Sequence, residues 1–368
     1  MRYYLIAGEA SGDLHGSNLL AAIRQCDQAA EFRFWGGDKM AATAGVAPVK
    51  HIRELAFMGF IEVVRHLGEI MGNLRNAKRD VAQWQPDVVI LIDYPGFNFR
   101  LLKFLKERQI PVIYYIAPQV WAWKEGRVAT IKKYVDQLFV IFPFEQAFFS
   151  KHGIAAEFAG HPLLDVPDFA APAAGERKSV IALLPGSRKK VVQYLLPEML
   201  QVVDQFPDRE FVVCGSGLLG EAFYQPLMAG SRARLVVDQT YDILRQAQGA
   251  LVTSGTATLE TALMEVPQVV CYKGNALSFW LAKKLVRNIR FICIVNLIAD
   301  REVVTELLQE AVNGERMAHE LRLVLGEKRE AMLGDYREVR RALGAGGASQ
   351  RAAGRMVQWL REKVGAQQ

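Results

Sequence analysis

The chain is poor in the residues that mark disulfide-stapled, metal-binding and membrane-spanning proteins. It has four cysteines in 368 residues, Cys26, Cys214, Cys271 and Cys293. No two form a CxxC pair and none sits with histidine at metal-ligand spacing, so a disulfide framework and a zinc site are not expected. The six histidines include no HExxH. No run of about 18 apolar residues occurs, which argues against a transmembrane helix. The short apolar start at 3–7 lacks the small-residue cleavage site of a secretory signal, and the expected compartment is the cytoplasm. There is no GxxxxGK[ST], against a P-loop ATPase, and the opening loop lacks GxGxxG, against a Rossmann dehydrogenase. No zinc-finger or RNP-like motif accompanies the basic charge, so nucleic acid is not an expected partner.

What is present is an alternation. Hydrophobic residues make up 51% of the chain and charged ones 23%, as in a globular protein. Strand-like runs at 3–7, 32–35, 88–93, 112–116, 137–141, 181–184, 210–214, 235–237, 250–253 and 268–271 are separated by helix-like segments. Several are unbroken Val/Ile-rich runs, the signature of parallel strands buried on both faces. The class is therefore α/β with parallel sheets. The Pro- and Ala-rich "LLDVPDFAAPAAGERK" (163–178) reads as a linker. The expected organisation is a first domain at 1–165, a linker at 166–178, a second domain at 179–330 and C-terminal helices at 331–368. These helices either pack back on the first domain or swap with a partner chain. A net charge of +6 suits a partner that carries phosphate.

The second half holds two loops at strand C-termini, where open α/β sheets bind ligands. "LLPGSR" puts Gly186, Ser187 and Arg188 after one strand. Glycine permits close backbone approach, and arginine offers a planar fork of donors for phosphate. "SGTATLE" puts Ser254 and Thr256 at the start of a helix that also carries Thr258 and Glu260. A helix N-terminus suits a pyrophosphate, and a carboxylate one turn in suits a ribose diol. Together they point to a nucleotide-diphosphate site.

The first half offers a base instead. "DVVILIDYPGFN" ends a buried strand in Asp93, with Asn98 five residues on. A carboxylate there is placed to take a proton from an attacking hydroxyl. Trp121 and Trp123 in "PQVWAW" suit a sugar or lipid site, or ordinary packing. The opening loop "AGEASGD" contains two acids, Glu9 and Asp13, which is awkward for a phosphate cradle. His15 reads as a surface helix position. From Phe57 to Leu74, apolar residues recur at helical spacing (57, 60, 61, 64, 67, 71, 74), with Arg65, Arg75, Lys78 and Arg79 along the same stretch. An interfacial helix on an anionic membrane surface fits this pattern, as does a core helix. Phe279-Trp280 with Lys283-Lys284 suits a second membrane contact.

Taken in order, "AGEASGD", "ELAFMGFIEV", "DVVILIDYPGFN", "PQVWAW", "FPFE", "GHPLLD", "LLPGSR", "SGTATLE", "FWLAKKLV" and "VNLIADREVVTELLQ" resemble the lipid-A-disaccharide synthases. These are inverting glycosyltransferases of the GT-B fold in the lipopolysaccharide route of Gram-negative bacteria. The resemblance implies two Rossmann-like domains facing a central cleft, no metal and no cofactor. The implied substrates are UDP-2,3-diacylglucosamine and 2,3-diacylglucosamine 1-phosphate (lipid X), joined β-1,6 with release of UDP. The implied location is the cytoplasmic face of the inner membrane, as a peripheral protein and a possible homodimer. It further implies that the nucleotide sits on the second domain, so that Glu9, Ser11 and Asp13 become acceptor-site or catalytic residues beside Asp93. Asn98 then joins the substrate-binding residues, and Asn296 contacts the donor. An alternative is another GT-B enzyme acting on a UDP-sugar, an epimerase or a MurG-like transferase.

Overall fold

A computed structural model of the chain describes residues 1–55, 67–123, 125–170, 177–274 and 290–365. The chain divides into two units, Met1–Val166 with Leu343–Gln368, and Pro167–Ala342. Most of the stretch expected to meet a membrane (57–66), together with Phe279, Trp280, Lys283 and Lys284, lies outside the described residues. The same holds for the side chain of Trp123.

The first unit is built on seven strands: β1 (Arg2–Ile6), β2 (Glu31–Gly36), β3 (Lys50–His51), β4 (Val88–Ile92), β5 (Val112–Tyr115), β6 (Gln137–Val140) and β7 (Ala156–Phe158). All pair in parallel, in the order β3-β2-β1-β4-β5-β6-β7. Side chains alternate across the sheet. Tyr3 and Leu5 pack on Leu19, Leu20 and Ile23 of the helix Ala10–Cys26, and on Ala352, Met356 and Val357 of the last helix, Ala348–Gly365. Tyr4 and Ile6 face the other way, toward Leu74, Ala77 and Val81 of the helix Leu67–Trp84 and Leu101 and Leu105 of the helix Pro95–Glu107. Both faces are covered, which is why the central strands read as unbroken apolar runs.

The last helix thus packs on the first unit, while the helix Arg329–Ala342 belongs to the second. Asp165 pins its start. Its carboxylate accepts from the backbone N–H groups of Gly347 (2.6 Å), Ala348 (2.9 Å) and Ser349 (2.7 Å), satisfying donors that a helix N-terminus leaves open.

The second unit repeats the scheme with β8 (Val180–Leu184), β9 (Glu210–Gly215), β10 (Arg234–Val237), β11 (Ala247–Thr253), β12 (Gln268–Tyr272) and β13 (Glu306–Leu308), ordered β10-β9-β8-β11-β12-β13. Every pairing is again parallel. Three strands escape sequence reading, β3, β7 and β13. All three are outermost in their sheets and at most three residues long. An edge strand is half solvated and carries no buried run. Among the described residues no helix is long and apolar enough to cross a membrane. Within the described end of the expected interfacial stretch, on the helix Leu67–Trp84, Met71 is exposed, whereas Leu74 is buried in the core.

Candidate active site

Each sheet has one place where the winding reverses. In the first unit it falls between β1 and β4, whose following helices cover opposite faces of the sheet. Loops part there and leave a crevice at the strand C-termini. The two loops that meet at it are Gly8-Glu9 after β1 and Asp93-Tyr94 after β4. They touch. A Cβ on Gly8 would overlap the Tyr94 ring, so only glycine fits. Asp93 and Tyr94 both adopt left-handed backbone, with φ of 43° and 48°. Such conformations cost about 1 kcal/mol or more each and persist only where the surroundings impose them. Here the Asp93 carbonyl accepts from Asn98 Nδ2 and from the Tyr114 hydroxyl, both at 2.7 Å. Carbonyl and backbone are locked, and the carboxylate accepts from the Tyr94 N–H.

Burial pushes Asp93 up to about 6, with the nearby Glu9 charge adding to the effect. The same two causes raise Tyr94. Glu9 itself is exposed at the N-cap of its helix and makes no capping bond with its side chain. Ser11 is exposed on the first turn. A third acid enters from the end of β6. Glu145 is fully buried, and burial pushes it up to about 7 despite bonds to the Phe142 and Ile141 backbone and to Trp121, with the Asp93 charge adding to the rise. Sequence reading passed over Glu145, which stands within the quoted "FPFE". A carboxylate closely flanked by phenylalanines was the available signal.

Two expected site residues of this half are engaged within the fold, and His15, expected at a surface helix position, is not on the surface. Asp13 is buried, and its carboxylate accepts from the N–H groups of Gly37 (2.7 Å), Lys39 (3.1 Å) and Met40 (3.1 Å). It caps the helix Asp38–Ala44 from outside it, answering backbone donors that the helix start leaves open. Asn98 has no exposed surface and holds the Asp93 loop from below. Its side chain fixes the Asp93 backbone. His15 is buried, not on the surface, and burial lowers it to about 4.

In the second unit the winding reverses between β8 and β11. The two loops read as a diphosphate site follow these same strands. Gly186 has φ +98°, and a Cβ there would meet Thr253 Cγ2, at the end of β11, at 3.0 Å. Ser187 and Arg188 beyond it are exposed. Ser254 lies partly buried between β11 and the helix Thr256–Leu263, and no side chain caps that helix at Gly255. Thr256 is exposed on its first turn. Glu260 lies further along the helix, raised by burial and bonded to the Tyr241 hydroxyl. A literal GxGxxG at 215–220 follows β9, one strand away from the reversal. Its loop is closed on itself, with Ser216 N–H on the Tyr224 hydroxyl and Gly217 N–H on Asp238.

Two expected donor contacts here are structural. Thr258 is buried and its hydroxyl donates to the Gly255 carbonyl at 2.7 Å. Asn296 is fully buried. Its amide donates to Val304 O and Glu306 Oε1 and accepts from the N–H groups of Val303 and Val304, all within 2.8–2.9 Å. That exhausts the hydrogen-bonding capacity of an amide. Asn296→Ala is therefore expected to lower stability by roughly 2–4 kcal/mol, since it strands buried backbone donors, and to leave donor affinity alone. Urea unfolding with a donor titration checks both.

Two parallel doubly wound units, each with loops gathered at its reversal point, define the GT-B fold. The sequence pattern of the lipid-A-disaccharide synthetases matches residues 3–354, and the chain belongs to that family. It is similar to the lipid-A-disaccharide synthase of Geobacter metallireducens, with 38% identity over 378 residues and 98% of each chain covered. Among solved structures it resembles MurG of Acinetobacter baumannii, with TM-score 0.57, 14% identity, and 97% of this chain and 99% of that chain covered. It also resembles a UDP-GlcNAc 2-epimerase of Methanocaldococcus jannaschii solved with UDP-GlcNAc and UDP, with TM-score 0.63, 13% identity, and 98% and 100% covered. These two likenesses are of fold alone. Family membership sets aside the epimerase and MurG-like alternative.

Proposed function

We propose that the chain transfers 2,3-diacylglucosamine from UDP-2,3-diacylglucosamine to the 6-hydroxyl of 2,3-diacylglucosamine 1-phosphate. The product is the β-1,6-linked disaccharide 1-phosphate, and UDP leaves. Asp93 removes the hydroxyl proton. The oxygen attacks the anomeric carbon from the face opposite the nucleotide, the carbon–oxygen bond to UDP breaks, and the configuration inverts. The departing electron pair settles on the β-phosphate oxygen. Arg188, Ser187, Ser254 and the N-terminus of the Thr256–Leu263 helix hold that diphosphate and stabilise its developing charge. Close backbone approach at Gly186 serves the same anion. Glu260 receives the ribose hydroxyls. Glu9 and Ser11 bind the acceptor sugar.

The observation that carries this reading is the Asp93 carboxylate, desolvated at the reversal point and shifted to about 6. A general base is most effective when its pKa lies near the working pH. Both substrates carry acyl chains, and each buried methylene is worth about 0.8 kcal/mol in the bilayer. The enzyme must therefore reach them at a membrane, and we place it at the cytoplasmic face of the inner membrane, held through residues of the stretch from Phe57 to Leu74 other than the core-buried Leu74.

The test incubates the protein and both substrates in detergent micelles with EDTA, following disaccharide and UDP by mass spectrometry. Disaccharide formed in EDTA supports the reaction and its independence of metal. Intact substrates beside normal UDP binding would overturn the acceptor assignment.

A further inference from the structure

We infer that Glu145 is a positioning residue for the acceptor: it holds the indole of Trp121, and Trp121 is the surface on which the acceptor sugar ring packs. This rests on the reaction proposed above.

Glu145 is fully buried, and among the described residues no lysine or arginine pairs with it. A carboxylate in such a place is costly unless hydrogen bonds compensate. Its two oxygens divide the work. One accepts from the N–H groups of Ile141 (3.1 Å) and Phe142 (3.0 Å) and closes the corner from β6 into the helix Pro143–Lys151. The other accepts from Trp121 Nε1 at 3.0 Å. Only a carboxylate can accept at both ends. A glutamine that satisfied the corner would turn its NH₂ toward the indole N–H, donor against donor.

Trp121 is fixed from a second side. Phe144 meets it edge-on, with centroids 4.9 Å apart and planes at 90°, and Phe144 stacks in turn on Phe142 at 5.6 Å. The indole remains half-buried at the end of β5, the strand beside β4. Asp93 N–H donates to the Tyr115 carbonyl at the end of β5 at 3.2 Å, and the Asp93 charge adds to the rise of Glu145. Sugar rings present apolar C–H faces, and rigid aromatic side chains are their usual platform. A fixed platform beside a base also fixes the 6-hydroxyl relative to it, which is where orientation acts on rate.

The experiment compares wild type, Trp121→Phe, Glu145→Gln and the double variant in steady state, titrating acceptor and donor separately, with melting temperatures recorded alongside. Trp121→Phe is expected to raise acceptor KM by about tenfold, the scale of one aromatic contact, with donor KM unchanged. Glu145→Gln is expected to raise acceptor KM in the same sense. The double variant should be no worse than Trp121→Phe, because phenylalanine has no N–H for Glu145 to hold. Multiplying effects, an unchanged acceptor KM, or a loss confined to melting temperature would overturn the inference. Should Glu145→Gln not fold, Glu145→Asp takes its place, one methylene short of serving both ends. Wild type that forms no disaccharide overturns the reaction and this inference together. Disaccharide with an unmoved acceptor KM in the variants overturns the inference alone.

Discussion

Replacing Asp93 by Asn is expected to lower kcat by ~10²–10⁴-fold, the usual contribution of a general base, while UDP binding stays intact and the melting temperature rises. The two directions follow from one fact. Burial and the Glu9 charge hold Asp93 at about 6, whereas an unfolded aspartate titrates near ~3.9. The folded state therefore binds this proton more tightly than the unfolded one. Stability from this group is present in acid and is lost as pH rises from about 4 through about 6, leaving a cost of ~3 kcal/mol at neutral pH. Asparagine carries no charge to desolvate, and it is among the few non-glycine residues that tolerate the φ of 43° found at this position. A structural aspartate would behave oppositely, losing stability on substitution. Thermal melts from pH 4 to 8 beside single-turnover rates decide the matter.

The same shift fixes the pH–rate profile. Asp93 must be ionised to accept a proton, so kcat/KM should fall on the acid side with an apparent value near 6. Glu9 raises Asp93 because it is a like charge. Glu9→Gln should therefore move the acid limb to lower pH, and a limb that stays in place would separate Glu9 from the base.

The parallel sheets were legible because nearly every inner strand is an apolar run between turns, covered on both faces. The edges β3, β7 and β13 were not, since a strand of two or three half-solvated residues leaves no pattern. In the site, legibility followed exposure. Arg188, Ser187 and Thr256 lie exposed on loops or a first helical turn, open to a ligand. The motifs offer Asp13 as a catalytic candidate and Asn98, Thr258 and Asn296 as substrate contacts, because polar residues of both kinds stand side by side in them. Burial separates the two kinds. Each of these four faces backbone groups, and no spacing rule says which way a side chain turns. The GxGxxG at 215–220 makes the same point, since what distinguishes it from a phosphate cradle is the strand that it follows.

Arg188→Ala is expected to lower kcat/KM for the donor by ~10²–10³-fold, the loss typical when one preorganised donor to a developing anion is removed. It should also weaken UDP itself, unlike Asp93→Asn. Saturating UDP at about 100 times Kd stabilises a protein by ~2.7 kcal/mol, and the variant should lose roughly half of that if its Kd rises tenfold. Arg188 follows Gly186, whose φ is +98° and whose backbone lies against Thr253, at the end of the strand that leads to the Thr256–Leu263 helix. Lysine is a point charge without the planar fork, and Arg188→Lys should recover UDP binding more fully than kcat. The division between the two constants carries the chemistry. A rise in donor KM alone means that Arg188 holds ground state and transition state equally. A fall in kcat means that it grips the diphosphate harder as the glycosidic bond breaks, which is the work required of a cation at the leaving group.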